Sequence, residues 1–559
     1  MTGTDPSTAL VWVEAEADRA AAARIAGAVG CPPWVADLLT SRGICSPEEA
    51  VRWLSPRLNH LGDPFLLPDM DRAVDRLLAA IAARERITIF GDYDVDGLTS
   101  VALVEEVVRG SGAPVSVFLP HRMEEGYGLS PAALERCIEE TQPRLIVTVD
   151  CGTGSVEAVQ AAARRGIDVI ITDHHAVGEA VAPATAVVNP RRASDERLHV
   201  LAGVGVAFKL VHALLKKARA TLGEQAWTQF DPRQSLDLVA LGTIADLVPL
   251  REENRMLVHH GLKQLNASRR VGLQALRKVA GIDKEIDTYE VGYLLGPRLN
   301  AAGRLGTAQE ALALLMTGDA ARAAALATEL DAANRERQQV ERAIVDMLTE
   351  RVDAAMREQP AYAIVEADET WHPGVVGIVA SRIVQRHHRP AIIIGLDDQG
   401  RAKGSCRGIP GFNMVEALDA CREHLVKHGG HAMAAGVEVA WDRIPEFRRA
   451  FEAEARRRLS GQVLQRSLAL EGWLSGASID DELMHWLDRL RPFGMGHAEP
   501  TFGLRGVAFA GEPREVGKGH LKARLMCHGV EMESIGFGLY HRERPAGPVD
   551  IAFHVRRDV

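Results

Sequence analysis

Two α/β domains joined by one long helix, with a small β-barrel at the C-terminus, are the architecture that three features of the sequence predict. Short apolar runs ending in carboxylates recur through the first half of the chain. An uninterrupted helical pattern separates them from a second set of strands and glycine-rich motifs, and the last hundred residues or so break into short strands with turns between them.

Residues 1–65 carry short helical patterns, including Pro47 to Leu54, and no nameable chemistry. The first α/β domain is expected over 66–270. It opens with the run Arg86-Ile-Thr-Ile-Phe-Gly followed by Asp92, Asp94 and Asp96 at every second position. If the run is a strand, alternation keeps the three carboxylates on one side of the emerging loop. Three crowded anions call for a compensating cation, and hard divalent ions favour carboxylate oxygen. An Asp-rich loop on its own is as readily a solvated turn; the other strand ends shift that balance. Leu145 to Val149 ends on Asp150, and Val169 to Thr172 ends on Asp173, His174 and His175. Val115 to Leu119 leads towards Arg122. Such strands fit an open parallel sheet that binds its ligand beyond the carboxyl ends. Asp246 falls near the end of a helical run, where the helix dipole disfavours a structural carboxylate and a metal ligand is the better explanation.

From Asp319, a plausible helix cap, to Gln359 there is no Pro or Gly, and apolar residues keep helical spacing. At 1.5 Å per residue this is one helix of about 60 Å, too long for a single compact domain. A second α/β domain follows over 360–459, with Ser405 and Arg407 in Gly404-Ser-Cys-Arg-Gly408 and His431 in Gly429 to Gly436. Small residues there are expected to let backbone amides approach an anion ahead of a helix, with a hydroxyl and a forked cation beside them. Arg382, Arg386, Arg389, Arg401, Lys403 and Arg407 form a basic run that suits a phosphate backbone or, equally, a solvated face.

Taken in order, DYDVDG, VTVDCG, TDHHA and GTIADLVPL resemble the four motifs of the DHH phosphoesterase superfamily. Gly296 to Arg304 (GPRLNAAGR) is similar to the fifth motif of the RecJ family of single-strand-specific 5′→3′ exonucleases, and the GxSxR and GGHxxAAG patterns resemble its DHHA1 domain. The resemblance covers roughly residues 65–559. It implies a DHH catalytic domain at 66–270, a motif V segment at 271–318, the connecting helix at 319–359, DHHA1 at 360–459 and an OB-like domain at 460–559. The chain stops at Val559 where the family usually continues into a further strand, which leaves the completeness of the barrel open.

The same resemblance implies two divalent ions, Mn²⁺ or Mg²⁺, held by Asp92, Asp94, Asp96, Asp150, His174 and Asp246, with Asp150 as the bridge and Asp92 either a ligand or an outer support. His175 is placed near the scissile phosphate as an acid or hydrogen-bond donor, Arg304 as a clamp on the phosphoryl oxygens, and Asp173 behind His174. Arg122, Asn300, Arg304, Arg382, Ser405, Arg407 and His431 are the implied substrate contacts, with Arg122, Ser405 and Arg407 forming a pocket for a terminal 5′ phosphate. The implied activity is release of 5′-mononucleotides from single-stranded DNA, in recombination and repair. A nano-RNase or small-nucleotide phosphatase, and a non-catalytic DNA-binding scaffold, are the alternatives. A single-strand-binding protein and a RecQ-type helicase are implied partners, and the barrel is expected to be an accessory DNA track separable from the chemistry.

Composition restricts rather than decides. With 559 residues, 47% hydrophobic and 25% charged, the chain has the material for several cores. Seven cysteines without a CxxC pair give neither a disulfide framework nor a zinc pattern. The N-terminus has no basic region followed by an apolar core, and no segment is suited to cross a bilayer, so a cytoplasmic monomer is expected. The net charge of −10 speaks against nucleic acid only until the acids of a metal centre are set aside.

Overall fold

The computed structural model describes residues 10–121, 125, 128–223, 226–305, 308–397 and 399–557, with Arg304 and Leu305 described by backbone alone. The chain divides into two compact units. The larger holds residues 13–303, 307–328 and 469–559; the smaller holds mainly 329–468.

The centre of the larger unit is a five-stranded parallel sheet. Its strands are β1 (Ile87–Phe90), β2 (Val115–Phe118), β3 (Leu145–Val149), β4 (Asp168–Thr172) and β5 (Ala186–Val188), in the order β2-β1-β3-β4-β5. β1 and β3 are buried at every position, as expected of strands covered on both faces by helices. The strand order reverses between β1 and β3, so the loops leaving these two strands diverge and open a crevice at their carboxyl ends. Helices α1 (Val95–Gly110), α2 (Gly203–Leu222) and α3 (Leu236–Ala245) pack together beside it. Helix α4 (Gly296–Leu305) comes next in the chain.

Helix α5 (Ala320–Glu358) is a single run of 39 residues. Asp319 caps it, accepting from the amides of Ala321 and Arg322. It starts in the larger unit and continues into the smaller. In the latter its residues Ile344, Leu348 and Val352 pack on Trp371, Val375 and Val379.

The sheet of the smaller unit comprises β6 (Ile364–Ala367), β7 (Ala391–Leu396), β8 (Ala402–Arg407), β9 (Lys427–Gly430) and β10 (Ala434–Val439), in the order β9-β10-β8-β7-β6. Only β6 and β7 are parallel. Helix α6 (Pro373–His387) lies in the cluster formed with α5, whereas α7 (Ile444–Leu459) contributes Phe447 and Phe451 to the other cluster.

The C-terminal part of the larger unit contains β11 (Gly472–Trp473), helix α8 (Asp481–Leu490) and strands β12 (Phe502–Phe509), β13 (Arg514–Val516), β14 (His520–Cys527), β15 (Val530–Gly536) and β16 (Val549–Phe553). The final strand pairs with β12, and β14 is flanked by β12, β13 and β15 in a barrel-like arrangement. This region shares a core with the N-terminal helices. Ile25, Leu39 and Trp53 from the N-terminal helices share one core with Leu487, Phe493 and Phe502. Arg255, 2% exposed, donates to the carbonyls of Trp53, Leu490, Arg491 and Pro492. The N-terminal helices therefore do packing work, and Arg255 ties them to the C-terminal region.

Candidate metal centre

Asp92, Asp94 and Asp96 do not alternate along an extended segment. The strand ends at Phe90, and the chain turns at once into α1, with Asp94 as its cap accepting from the amides of Asp96 and Gly97. Asp96 therefore belongs to the first helical turn, and helix geometry, not strand alternation, directs it to the rim. Its carboxylate is fully buried and accepts from Gly203 N at 2.6 Å and Val204 N at 2.8 Å, at the start of α2. Two unsatisfied amides and the positive end of a helix thus hold an anion in place.

Asp150 leaves β3 with φ of +62°, a conformation that costs a non-glycine residue about 1–3 kcal/mol and occurs mostly where function demands it. This twist brings its Oδ1 to 3.2 Å from His174 Nε2, and the same nitrogen lies 3.6 Å from Asp246 Oδ2 and 3.8 Å from Asp96 Oδ2. Three overlapping sets have ligand atoms within 4.8 Å of one another: Asp92, Asp94 and Asp150; Asp96, His174 and Asp246; and Asp150, His174 and His175. Asp150 and His174 each belong to two of them, which is the arrangement two neighbouring cations require.

The electrostatics fit a cation. Burial, then the charges of neighbouring acids, pushes Asp96 up to about 7 and Asp246 up to about 9, and raises Asp150 well above the carboxylate range. Burial also lowers His174 to about 3, keeping its ring neutral and its nitrogen available as a ligand. His174 Nε2 and Asp246 Oδ2 are buried and have no hydrogen-bond partner among the described residues. Buried polar atoms of this kind are costly, and a divalent ion would satisfy them together. Space is kept by glycines: a Cβ on Gly203 would stand 2.4 Å from Asp150 Oδ1, and one on Gly242 would stand 2.9 Å from Asp96 Oδ1.

Asp173 holds the backbone amide of His174, and the imidazole that it bonds is that of His175. Its Oδ1 accepts from His175 Nδ1 at 2.8 Å and from the amides of His174 and His175, while Oδ2 accepts from Thr153 N. Burial alone would raise the carboxyl, but these donors outweigh it and hold Asp173 below its ordinary range. Burial would likewise lower His175, and the bond and charge of Asp173 overcome it and raise that imidazole.

In the smaller unit, Ser405 and Arg407 lie within strand β8, paired with β10 so that Ser405 faces Gly436. The expected amide cradle ahead of a helix is absent at these residues, because a strand's amides are spent on its neighbours. A side-chain pocket takes its place. Arg407, partly buried, donates through Nη1 to Ser405 Oγ at 3.0 Å and through Nε to Ser381 Oγ at 3.2 Å. A Cβ on Gly377 would stand 3.1 Å from its Nη2. His431 is exposed at the β9–β10 turn.

Three segments match known domain families: the DHH family, N-terminal domain, over residues 86–243; the DHHA1 domain over 359–457; and the RecJ OB domain over 470–559. The single-stranded-DNA-specific exonuclease RecJ of Dickeya dadantii is 38% identical over 528 residues, covering 91% of this chain and 89% of that protein. The chain belongs to the RecJ family. The RecJ of Bacillus subtilis is 39% identical over 510 residues, covering 90% of this chain and 63% of that longer protein. Among solved structures, RecJ of Thermus thermophilus in complex with Mn²⁺ aligns with a TM-score of 0.82 at 33% identity, covering 98% of this chain and 76% of that one. The fold is thus the RecJ one, with DHH, DHHA1 and OB parts.

Against the RecJ expectations, the structure brings Asp92, Asp94, Asp96, Asp150, His174, His175 and Asp246 together. Asn300 stands beside them, but its Oδ1 accepts from Val95 N, so the side chain supports the metal loop, and only its amide nitrogen remains to donate elsewhere. Arg122 and the Arg304 side chain lie outside the described residues. Arg382 pairs with Glu341 at 3.2 Å instead of presenting an uncommitted cation. Other members of the basic run are also partnered within their unit: Arg386 pairs with Asp353, Arg401 and Lys403 share Asp397, and Arg389 donates to the carbonyls of Ala361, His388 and Leu464. Sequence reasoning missed Gly203, Gly242, Thr153, Asn189 and Ser381. Gly203 follows Leu201-Ala and opens a helical run, a signal for an anion-holding helix start; the others have no local signature.

Proposed function

We propose that this chain is a metal-dependent exonuclease that degrades single-stranded DNA from its 5′ end to 5′-mononucleotides. The observation that carries the reading is the group of buried Asp96, Asp150 and His174 with partly buried Asp246, in a chain whose RecJ relatives are single-stranded-DNA-specific exonucleases. The Thermus thermophilus relative is described with Mn²⁺ and, separately, with Mg²⁺, and the donor set here suits either. Asp92, Asp94, Asp96, Asp150, His174 and Asp246 would hold two such ions, which supply Lewis acidity at the scissile phosphate and a water of lowered pKa.

The remaining residues bind and orient. Asp173 fixes Nδ1–H of His175, which leaves Nε2 as the nitrogen that meets a phosphoryl or leaving oxygen. Arg304 clamps the phosphate. In the smaller unit Arg407, with Ser405, reads the terminal 5′ phosphate through its fork; Arg122 is assigned to the same group, and His431 to the strand beyond it. Pairing makes Arg382 the weakest of these assignments. No helix among the described residues is long and apolar enough to cross a membrane. A cytoplasmic monomer working with a single-strand-binding protein and a RecQ-type helicase in recombination and repair accords with this reading.

The test uses 5′-labelled single strands, 3′-labelled single strands and duplex, each with Mn²⁺, Mg²⁺ or chelator. Mononucleotide released at once from the 5′ label, only with metal and only from single strands, is the expected result. Equal attack on duplex, initial release from the 3′ end, or chelator-resistant cleavage would each contradict the assignment.

A further inference from the structure

A closed ring of hydrogen bonds lies behind His175. Asn189, fully buried at the end of β5, donates from Nδ2 to Thr153 Oγ1 at 2.9 Å and to the carbonyl of His175 at 3.0 Å. The Thr153 amide donates to the Asp173 carboxylate at 2.9 Å, which in turn accepts from His175 Nδ1 at 2.8 Å. The ring therefore passes from Asn189 to Thr153, Asp173 and His175 and back to Asn189. Its members stand on the loops that leave three neighbouring strands, β3, β4 and β5.

The Asp173 carboxylate oxygens accept, one from the Thr153 amide and the other from Nδ1 of His175, which places a proton on that nitrogen. The Thr153 hydroxyl accepts from the Asn189 amide at 2.9 Å. That amide has a second proton for the His175 carbonyl, while its Oδ1 accepts from Arg191 N at 2.8 Å. Held at its amide, its carbonyl and Nδ1, His175 has its ring aimed by these bonds.

We infer that Thr153 and Asn189 are positioning residues that set the tautomer and aim of His175, acting through Asp173 and the His175 backbone and not through the metal ligands. The inference rests on the proposed role of His175 at the scissile phosphate. Outer residues of this kind typically matter by about 10- to 100-fold.

The experiment compares Thr153→Val, Thr153→Ser, Asn189→Ala and His175→Ala, alone and combined. Thr153→Val is close in volume and removes only the hydroxyl, so it tests the ring even if Asn189→Ala destabilises the fold. Expected is a loss in kcat of about 10- to 100-fold for Thr153→Val and Asn189→Ala, with KM and Mn²⁺ affinity by calorimetry near wild type. Thr153→Ser should restore most of what Thr153→Val loses. In the His175→Ala background neither substitution should cost more, since both act through the missing ring. Independently of turnover, the metal-free protein labelled with ¹⁵N-histidine should show a protected Nδ1–H for His175 that Thr153→Val removes. Undiminished losses in the His175→Ala background, or a Thr153→Val protein that keeps that signal, would overturn the clamp. Full activity of His175→Ala would instead overturn the role given to His175 itself.

Discussion

The strand-end acids around Asp150 and the basic run from Arg382 to Arg407 are both dense in charge, yet the structure treats them in opposite ways. At the metal rim like charges are buried against one another, and burial with mutual repulsion lifts Asp96 and Asp246 far above ordinary carboxylates. In the basic run nearly every cation meets an anion or a set of carbonyls of its own unit; Asp397, taken by Arg401 and Lys403, is held below the usual range. A group whose charge is opposed by its surroundings stores free energy that a ligand can release. One whose charge is matched has already released it within the fold. Arg407 is the member of the run that follows the first pattern, since it meets hydroxyls and carries no carboxylate partner among the described contacts.

The largest expected effect comes from Asp150→Asn. Removing the charge shared by both candidate cation sites should lower kcat by about a thousand-fold or more, because several kcal/mol of charge stabilisation are at stake. With chelator present the same substitution should raise the melting temperature, as it relieves repulsion in the empty rim. Scanning calorimetry of the metal-free pair checks the second half; a lower melting temperature would mean that Asp150 is a structural acid.

Arg407→Ala sharpens the comparison from the other side. Loss of a charged fork should weaken binding of 5′-phosphorylated single strands by about 10- to 100-fold and of 5′-hydroxyl strands much less. Arg407→Lys should recover little, because a point charge cannot reproduce the fork. Equal losses on both kinds of end would place Arg407 with the structural cations.

A pH titration tests the stored repulsion directly. Asp96 and Asp246 have folded-state values of about 7 and about 9, above the ordinary carboxylate value, so the fold favours their protonated forms. Their contribution to stability is complete below about pH 4 and is lost as pH rises through 7 and then 9. Metal-free protein should therefore melt several degrees lower at pH 9 than at pH 6, and saturating Mn²⁺ should remove most of that slope. A flat metal-free profile would show that the rim acids are not repelling one another.

The smallest effect belongs to the paired cations. Arg386→Ala, which breaks a half-exposed bridge to Asp353, should change stability by about 0–1 kcal/mol and leave affinity for single strands near wild type. A large loss of DNA binding with a parallel loss of salt dependence would restore the basic run as a phosphate track.

Much of this was legible in the chain because it is local. Buried apolar runs fixed the parallel strands, their terminal acids named the rim, and the absence of Pro and Gly announced α5 from Ala320 to Glu358 almost to its ends. What local pattern could not supply was pairing. Nothing in the sequence around Asp173 says that its oxygen meets His175, nor that Asn189, fourteen positions further on, closes a ring with Thr153. Nor does it say that Arg255 ties the N-terminal helices to the segment 490–492. Residue type and spacing set which side chains emerge from a strand or helix, since those follow from backbone geometry within a few residues. Which buried donor meets which acceptor depends on elements brought together from across the chain, and there the tertiary structure alone decides whether a charge is matched or left for a ligand.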